Sequence, residues 1–330
     1  MVRLLSSLQI GKFSVPPVFL APMAGITDQA FRATVRDFGV IPTMTEMVAA
    51  EACLRRNPKT LQMLRFSSEE TPKIVQLVGK DPDRLAEAAK ASADQGADIL
   101  NINMGCPARK IAQGAAAGAA LMRDPSLAKQ IFHAVRRATP LPVTVKMRLG
   151  WDAQQKNASE IARIAEGEGL ALLIIHGRTR AQFYTGQADW IAVGQIKKAV
   201  HIPVLVNGDI QDAETARAAL EASGADGLMI GRATLGAPWL PNQLKLFVQQ
   251  GISPTPLPRE IRLQTTFRHI NRLIDLLGEE KALFVARKHL CWYSRGQAHA
   301  ATFRARAHRA ASLEEIWQYL EDLFALQNDP

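Results

Sequence analysis

Ile99-Leu100-Asn101-Ile102-Asn103-Met104-Gly105-Cys106-Pro107, with Arg109-Lys110 close behind, is the stretch on which the reading of this chain turns. Ile99–Asn103 has the length and apolar content of a short strand buried on both faces, as in a parallel sheet. Gly105 and Pro107 then turn the chain sharply and leave Cys106 on the turn. An α/β barrel keeps its functional groups at the C-terminal ends of its strands, so a thiol fixed there beside cations suits an acid or a nucleophile.

Outward from this strand, seven more β-branched or apolar runs recur: Val18–Ala21, Thr43–Glu46, Ile74–Val78, Val143–Met147, Ala171–His176, Val204–Asn207 and Gly227–Ile230. Stretches of helical period such as Asp83–Gln95 and Ala213–Ala222 separate them. Eight strands alternating with helices predict a (β/α)8 TIM barrel of the α/β class. Counting strands does not show closure, so an open doubly wound sheet fits the same pattern. Residues Trp239–Pro258, with four prolines around Gly251, read as a linker. Beyond it, Glu260–Leu277, Glu280–Arg295 and Ser312–Ala325 read as helices, which predicts a C-terminal all-helical domain. The small-residue run Gly114–Ala120 behind Cys106 predicts close packing.

With 330 residues, 47% of them hydrophobic, the chain can bury a large core and carries no sign of disorder. Forty basic against 31 acidic residues give a net charge of +9, which favours a polyanionic partner without proving one. Three cysteines, Cys53, Cys106 and Cys291, are odd in number and widely spaced, which argues for a reducing cytoplasm and against a disulfide framework or a thiolate metal site. Ser6, Ser7 and Lys12 interrupt any leader-like run after Arg3, and no uncharged apolar run reaches membrane-spanning length. The expectation is a soluble, unprocessed protein with no metal and no membrane partner.

The strand ends are polar: Pro22-Met23-Ala24-Gly25, Glu46, Gln76, Asn101 and Asn103, Lys146 with Arg148, His176 with Arg178, Asn207-Gly208-Asp209, and Gly231-Arg232. Each alone has an ordinary structural reading, such as a satisfied interior histidine, a rim lysine or a turn glycine. Gathered at one mouth they suggest a site. The last two strands of a barrel commonly bind phosphate through glycine N–H groups, and Arg232 adds a charge-assisted contact. A planar ring would then lie over Pro22, Met23 and Ala24, with Gln76 and Lys146 meeting its heteroatoms. Lys146 would stabilise a ring edge that becomes anionic on reduction.

Six phrases, Ala21–Asp28, Asn103–Pro107, Lys146–Arg148, His176–Arg180, Asn207–Asp209 and Gly231-Arg232, resemble the tRNA-dihydrouridine synthases, in order and over nearly the whole chain. Ala286–His289 followed by Trp292-Tyr293 is similar to the bacterial B-type subfamily. The resemblance implies an FMN-binding barrel over residues 1–242, a helical tRNA-binding domain over 243–330, and NADPH as reductant. It implies that Pro22, Met23, Ala24, Gln76, Lys146, His176, Asn207, Gly208, Asp209, Gly231 and Arg232 hold FMN. Cys106 would be the proton donor to uracil C5, opposite a hydride delivered to C6. Ordinary cysteine thiols titrate near about 8.5, so a cysteine can act as an acid at neutral pH without further tuning. Asn103, His176 and Arg178 would orient the uracil or the flavin, Arg148 would serve the substrate side, and Arg109 and Lys110 would meet RNA phosphate or order the loop. The alanines of 115–120 are plainer than the family pattern, which leaves open how this loop closes.

From Lys281 to Leu313 the chain holds Arg287, Lys288, Arg295 and further cations but no acid, with Trp292 and Tyr293 among them. Such a run is often only a solvated face; beside the family resemblance it becomes a candidate RNA surface. A uridine in folded RNA must be turned out of its stack, and these contacts would offset that cost. The B-type resemblance suggests a D-loop uridine at about position 17, by family alone. The expected state is a cytoplasmic monomer. Two other readings stay open: a flavin oxidoreductase acting on a free pyrimidine, and a tRNA-binding protein without redox activity.

Overall fold

A computed structural model describes residues 4–325; Arg3 and the last five residues of the chain, 326–330, lie outside the described part. An antiparallel hairpin, β1 (Leu8–Ile10) and β2 (Phe13–Val15), precedes eight parallel strands. These are β3 (Val18–Leu20), β4 (Val48–Ala49), β5 (Ile74–Val78), β6 (Ile99–Met104), β7 (Val143–Arg148), β8 (Leu172–His176), β9 (Val204–Asn207) and β10 (Gly227–Ile230). They pair in the order β3-β10-β9-β8-β7-β6-β5-β4. Leu20 N–H, on β3, donates to Pro42 O at 3.0 Å and joins the two ends of the sheet into a ring.

The predicted barrel is therefore present, with one irregular stave. The expected strand Thr43–Glu46 is reduced to a single bridge, Met44 to Ile74, ahead of the two-residue β4. Side chains take over ladder contacts here: Thr45 Oγ1 accepts the Gln76 N–H at 3.0 Å, and Thr43 Oγ1 donates to Glu70 Oε1 at 2.7 Å. Threonine hydroxyls compete with backbone partners in this way and break regular pairing.

Helices fill the intervals: α1 (Gln29–Arg36), α2 (Ala50–Leu54), α3 (Pro58–Met63), α4 (Pro82–Asp94), α5 (Pro125–Ala138), α6 (Ala158–Gly167), α7 (Trp190–Lys198), α8 (Ala213–Ser223) and α9 (Leu240–Gln250). Aspartates start several of them: Asp28, Asp81, Asp124, Asp189 and Asp212 each accept a backbone N–H of the first turn. A carboxylate in that position satisfies an orphan donor and meets the positive end of the helix dipole.

Two layers of apolar residues hold the barrel. Strands and surrounding helices share the larger one, with Ile102, Val145, Leu173, Phe132 and Ile161 inside it. A second lies inside the ring at its N-terminal end, where Leu8, Ile10 and Val15 of the hairpin meet Ile74, Ile99, Leu172 and Met229. The hairpin plugs the bottom of the barrel, so the open mouth is the C-terminal one.

The presumed linker 239–258 is half helix. Pro241 sits in the first turn of α9, where its missing N–H is no loss, and Leu244, Phe247 and Val248 bury themselves against the barrel. Only 251–258 remains irregular before α10 (Arg259–Leu277), α11 (Glu279–Tyr293), α12 (Ala300–Arg309) and α13 (Leu313–Ala325). Helix α12 was not expected, because its basic sequence has only a narrow apolar stripe, Phe303 and Ala307. No helix among the described residues is long and apolar enough to cross a membrane.

Helix α1 belongs to both halves. Phe31 and Val35 pack with Leu20 and Ile41 of the barrel, whereas Ala30 joins the core of the C-terminal helices. A buried ion pair anchors it: Arg32 Nε lies 2.6 Å from Glu70 Oε1, and the guanidinium also donates to Thr27 O and Arg65 O. Removing one partner of such a pair leaves an uncompensated buried charge, which costs about 3–5 kcal/mol. Glu70→Ala is expected to lose that much stability in urea unfolding, and a loss below about 1 kcal/mol would show that Arg32 finds other partners.

Candidate active site

At the mouth, one chain of amides sets the geometry. Asn103 Oδ1 accepts the backbone N–H groups of Gly105 (3.1 Å) and Cys106 (2.9 Å), which can only donate. Its Nδ2 must therefore face Gln76 Oε1, at 2.8 Å. Gln76 Nε2 in turn donates to Asn101 Oδ1 at 2.8 Å, and Asn101 Nδ2 to Thr144 Oγ1 at 2.9 Å. Thr144 ends the chain by donating to Leu100 O at 3.1 Å. Four side chains on β5, β6 and β7 thus turn the acceptor of Asn103 toward the Cys106 turn.

That turn is held on its other sides as well. Arg148, almost fully buried, donates through Nε to Gly105 O and through Nη1 to Thr179 O and Phe183 O, all at 2.8 Å. Ala119 N–H reaches back to Cys106 O at 3.1 Å. Gly118, at φ +60°, lies so close that a Cβ would stand 3.2 Å from Cys106 Cβ. Only the second half of the small-residue run packs: Ala117, Gly118 and Ala119 are buried, while Gly114, Ala115 and Ala116 are exposed between a single turn of π-helix at Lys110–Gly114 and a 3-10 segment at Gly118–Arg123. Cys106 itself is half-buried, and Arg109 and Lys110 are exposed.

Two cavities adjoin here. One, of about 490 Å3, is lined by Cys106, Gln76, Asn103, Met47 and Leu235 among others. The other, of about 620 Å3, is lined by Asn207, Gly208, Asp209, Gly231 and Arg295 among others. Pro22, Met23, Lys146, His176, Tyr184 and Arg232 border both, so they are two lobes of one mouth.

The second lobe is cationic. Its carboxylate, Asp209, is already engaged: Oδ2 takes Arg178 Nη2 (2.6 Å) and Ala188 N–H (2.8 Å), and Oδ1 takes Arg232 Nη2 (3.2 Å). Gly208, at φ +112°, could carry no side chain, because a Cβ would stand 2.9 Å from both Ala188 Cβ and His176 Cδ2. Asn207 Nδ2 donates to Met229 O, so β9 and β10 end in register beneath this lobe. Arg178 is buried and also donates to Thr185 O and Gly186 O, so it holds the following loop.

Burial first, then the neighbouring Arg148, pushes the Lys146 ammonium down to about 7, an effect that Cys106 opposes. Burial and the surrounding Lys146, Arg148, Arg178 and Arg232 hold His176 well below its usual value, so its ring is neutral at pH 7. Arg178 Nη1 lies 3.4 Å from His176 Nε2 and can only donate, which leaves the ring proton on Nδ1. Burial also lowers Arg148 to about 10.

The C-terminal helices complete the rim. Arg295, exposed just past α11, lines the cationic lobe, and Lys288 Nζ donates to Gly25 O. Arg287 turns inward and donates to Ala310 O at 2.8 Å. Tyr184 escaped the sequence reading, although it borders both lobes and stands against Arg148 and Arg232. Its position between Arg178 and Gly186, in the loop after a polar strand end, was the available signal.

A plugged barrel with a two-lobed cationic mouth and a helical appendage over its rim is the architecture of a ligand-binding (β/α)8 protein. The solved structure of histamine dehydrogenase from Rhizobium sp. 4-9 shares that fold, at TM-score 0.56 and 14% identity over 82% of this chain and 51% of that one. Residues 19–328 match the family model described as dihydrouridine synthase (Dus). A probable tRNA-dihydrouridine synthase of Rhodobacter capsulatus is 47% identical over 299 residues, covering 89% of this chain and 90% of its own. The tRNA-dihydrouridine synthase B of Xanthomonas axonopodis pv. citri is 41% identical over 319 residues, 96% of each chain. The chain belongs to the dihydrouridine synthase family, flavoprotein oxidoreductases that modify tRNA.

Because Lys146 gives up its proton near 7 in the fold and near 10.5 outside it, the unfolded chain binds more protons between those values. Stability of the ligand-free protein should therefore rise with pH across that window. Lys146→Met is expected to be the more stable protein at neutral pH, with the gain vanishing toward pH 10.5. Urea unfolding at about pH 7, 8.5 and 10 checks this, and a gain that grows with pH would refute it.

Proposed function

We propose that this protein reduces a D-loop uridine of tRNA to 5,6-dihydrouridine, with FMN bound at the barrel mouth and NADPH as reductant. The observation that carries the reading is the wall shared between the lobes: Met23, Lys146 and His176 border both the cationic, glycine-lined cavity and the cavity that holds Cys106. The donor set fits FMN. Gly208, Gly231 and Arg232 suit a phosphate, since the one carboxylate near them is already neutralised. Pro22, Met23 and Ala24 suit the face of the ring, and Gln76 and Lys146 its heteroatoms.

When bound, FMN supplies the hydride that goes to uracil C6, and NADPH renews it. Cys106 gives its thiol proton to C5. Asn103, Arg148 and Ala119 keep its turn from moving during the transfer. Neutral His176 can hydrogen-bond a uracil carbonyl without competing for that proton. Arg109, Lys110 and Arg295 are exposed around the mouth and suit RNA phosphates. Relatives named tRNA-dihydrouridine synthase B favour the B-type assignment and a uridine at about position 17. The protein would work as a monomer in the cytoplasm.

The purified protein should show a flavin spectrum and, with NADPH and tRNA lacking dihydrouridine, form reduced uridine. A colourless protein that neither takes up FMN nor acts on tRNA would end this reading. Cys106→Ala should keep its flavin and lose about 10²–10⁴-fold in uridine reduction, the usual worth of a positioned general acid. Single-turnover assays on the modified nucleoside measure this, and parental rates would remove Cys106 from the role.

A further inference from the structure

Gly25, at the tip of the first rim loop, is gripped from both sides. Its N–H donates to Glu46 Oε1, and its carbonyl accepts Lys288 Nζ from α11. The loop is otherwise a compact turn: Met23 N–H donates to Thr27 Oγ1 at 2.8 Å, while the Ile26 and Thr27 N–H groups return to Met23 O, both at 3.0 Å. A pull on Gly25 therefore moves Met23, and Pro22 and Met23 line both lobes of the mouth. Gly25 has φ +71°, a left-handed conformation that leaves the tip clear of side-chain bulk.

The charges around the tip agree with this grip. Asp28, which starts α1, is pushed up to about 6 by burial, by Glu46 against it and in spite of Arg32 and Lys288. Glu46 and Lys288 thus meet at the Gly25 peptide, one on its N–H and one on its carbonyl, with Asp28 close enough to feel both charges. Lys288 is exposed, as Arg295 is, but its ammonium reaches back to the barrel carbonyl of Gly25.

The geometry points to Glu46 and Lys288 as positioning residues that clamp the Gly25 peptide and so set the Pro22–Ala24 loop against the flavin, making helix α11 a structural part of the cofactor site. This rests on the flavin reading above. Lys288 therefore acts on the cofactor loop and not as a contact to RNA phosphate.

The test uses the full-length protein stripped of flavin, with FMN binding followed by flavin fluorescence and tRNA binding measured over a salt series. Lys288→Met should bind FMN about five- to tenfold more weakly, as expected for one charge-assisted hydrogen bond, with the salt dependence of tRNA binding unchanged. Lys288→Arg, which keeps a donor of similar reach, should restore most of the FMN affinity. Glu46→Ala should weaken FMN binding like Lys288→Met, and Glu46→Gln, which keeps an acceptor, should weaken it less. A parent that takes up no FMN sinks the functional reading. A parent that binds FMN, with a Lys288→Met variant that binds it as tightly, sinks the clamp alone, and a tRNA salt slope reduced by about one would then return Lys288 to the RNA surface.

Discussion

Three primary amides, almost entirely buried, stand side by side in this barrel, and they can be there only because each satisfies the next. A buried polar group left without a partner costs about 1–3 kcal/mol, and Gln76, Asn101 and Asn103 together carry six groups of that kind. Backbone donors that cannot accept fix the direction of the whole chain, from the Cys106 turn inward to Leu100 O. The backbone of the Cys106 turn is thereby tied to the packing of three strands. A change at Thr144, remote from the mouth, would leave Asn101 Nδ2 without its acceptor while the backbone donors still hold Asn103 in place.

The second organising element is the joint between the two halves of the molecule. Phe31 of α1 is stacked on His289 and meets His269 edge-on, and burial holds both imidazoles well below their usual range. They behave as neutral, aromatic packing groups. Arg272 of α10 holds Asp37, past the other end of α1, with two bonds of 2.7 and 2.8 Å. The helical region is thus bound along the length of one short barrel helix, which keeps Arg295 and Lys288 in fixed relation to the mouth.

Much of this was legible in the residues because parallel strands advertise themselves. Strands buried on both faces, such as Leu172–His176 and Val204–Asn207, are apolar runs whose polar ends stand out. The Cys106 turn and the glycines after β9 and β10 could be read for the same reason. Thr43–Glu46 misled, because threonines favour strands in general while here their hydroxyls displaced the ladder. Trp239–Pro258 misled because one of its prolines begins a helix instead of breaking one. The partners of Arg148, Arg178 and Lys288 could not be foreseen: each is a carbonyl or carboxylate on a distant loop, and a carbonyl has no residue type to betray it.

The hairpin at the bottom of the barrel has a consequence for traffic. With Leu8, Ile10 and Val15 stoppering one end, the interior has a single doorway. Two bulky reactants that must both touch the same buried surface cannot queue at opposite ends; each has to leave before the other arrives. On the proposed reaction, reductant and tRNA would take turns at that doorway, and the departure of the first would become part of the rate.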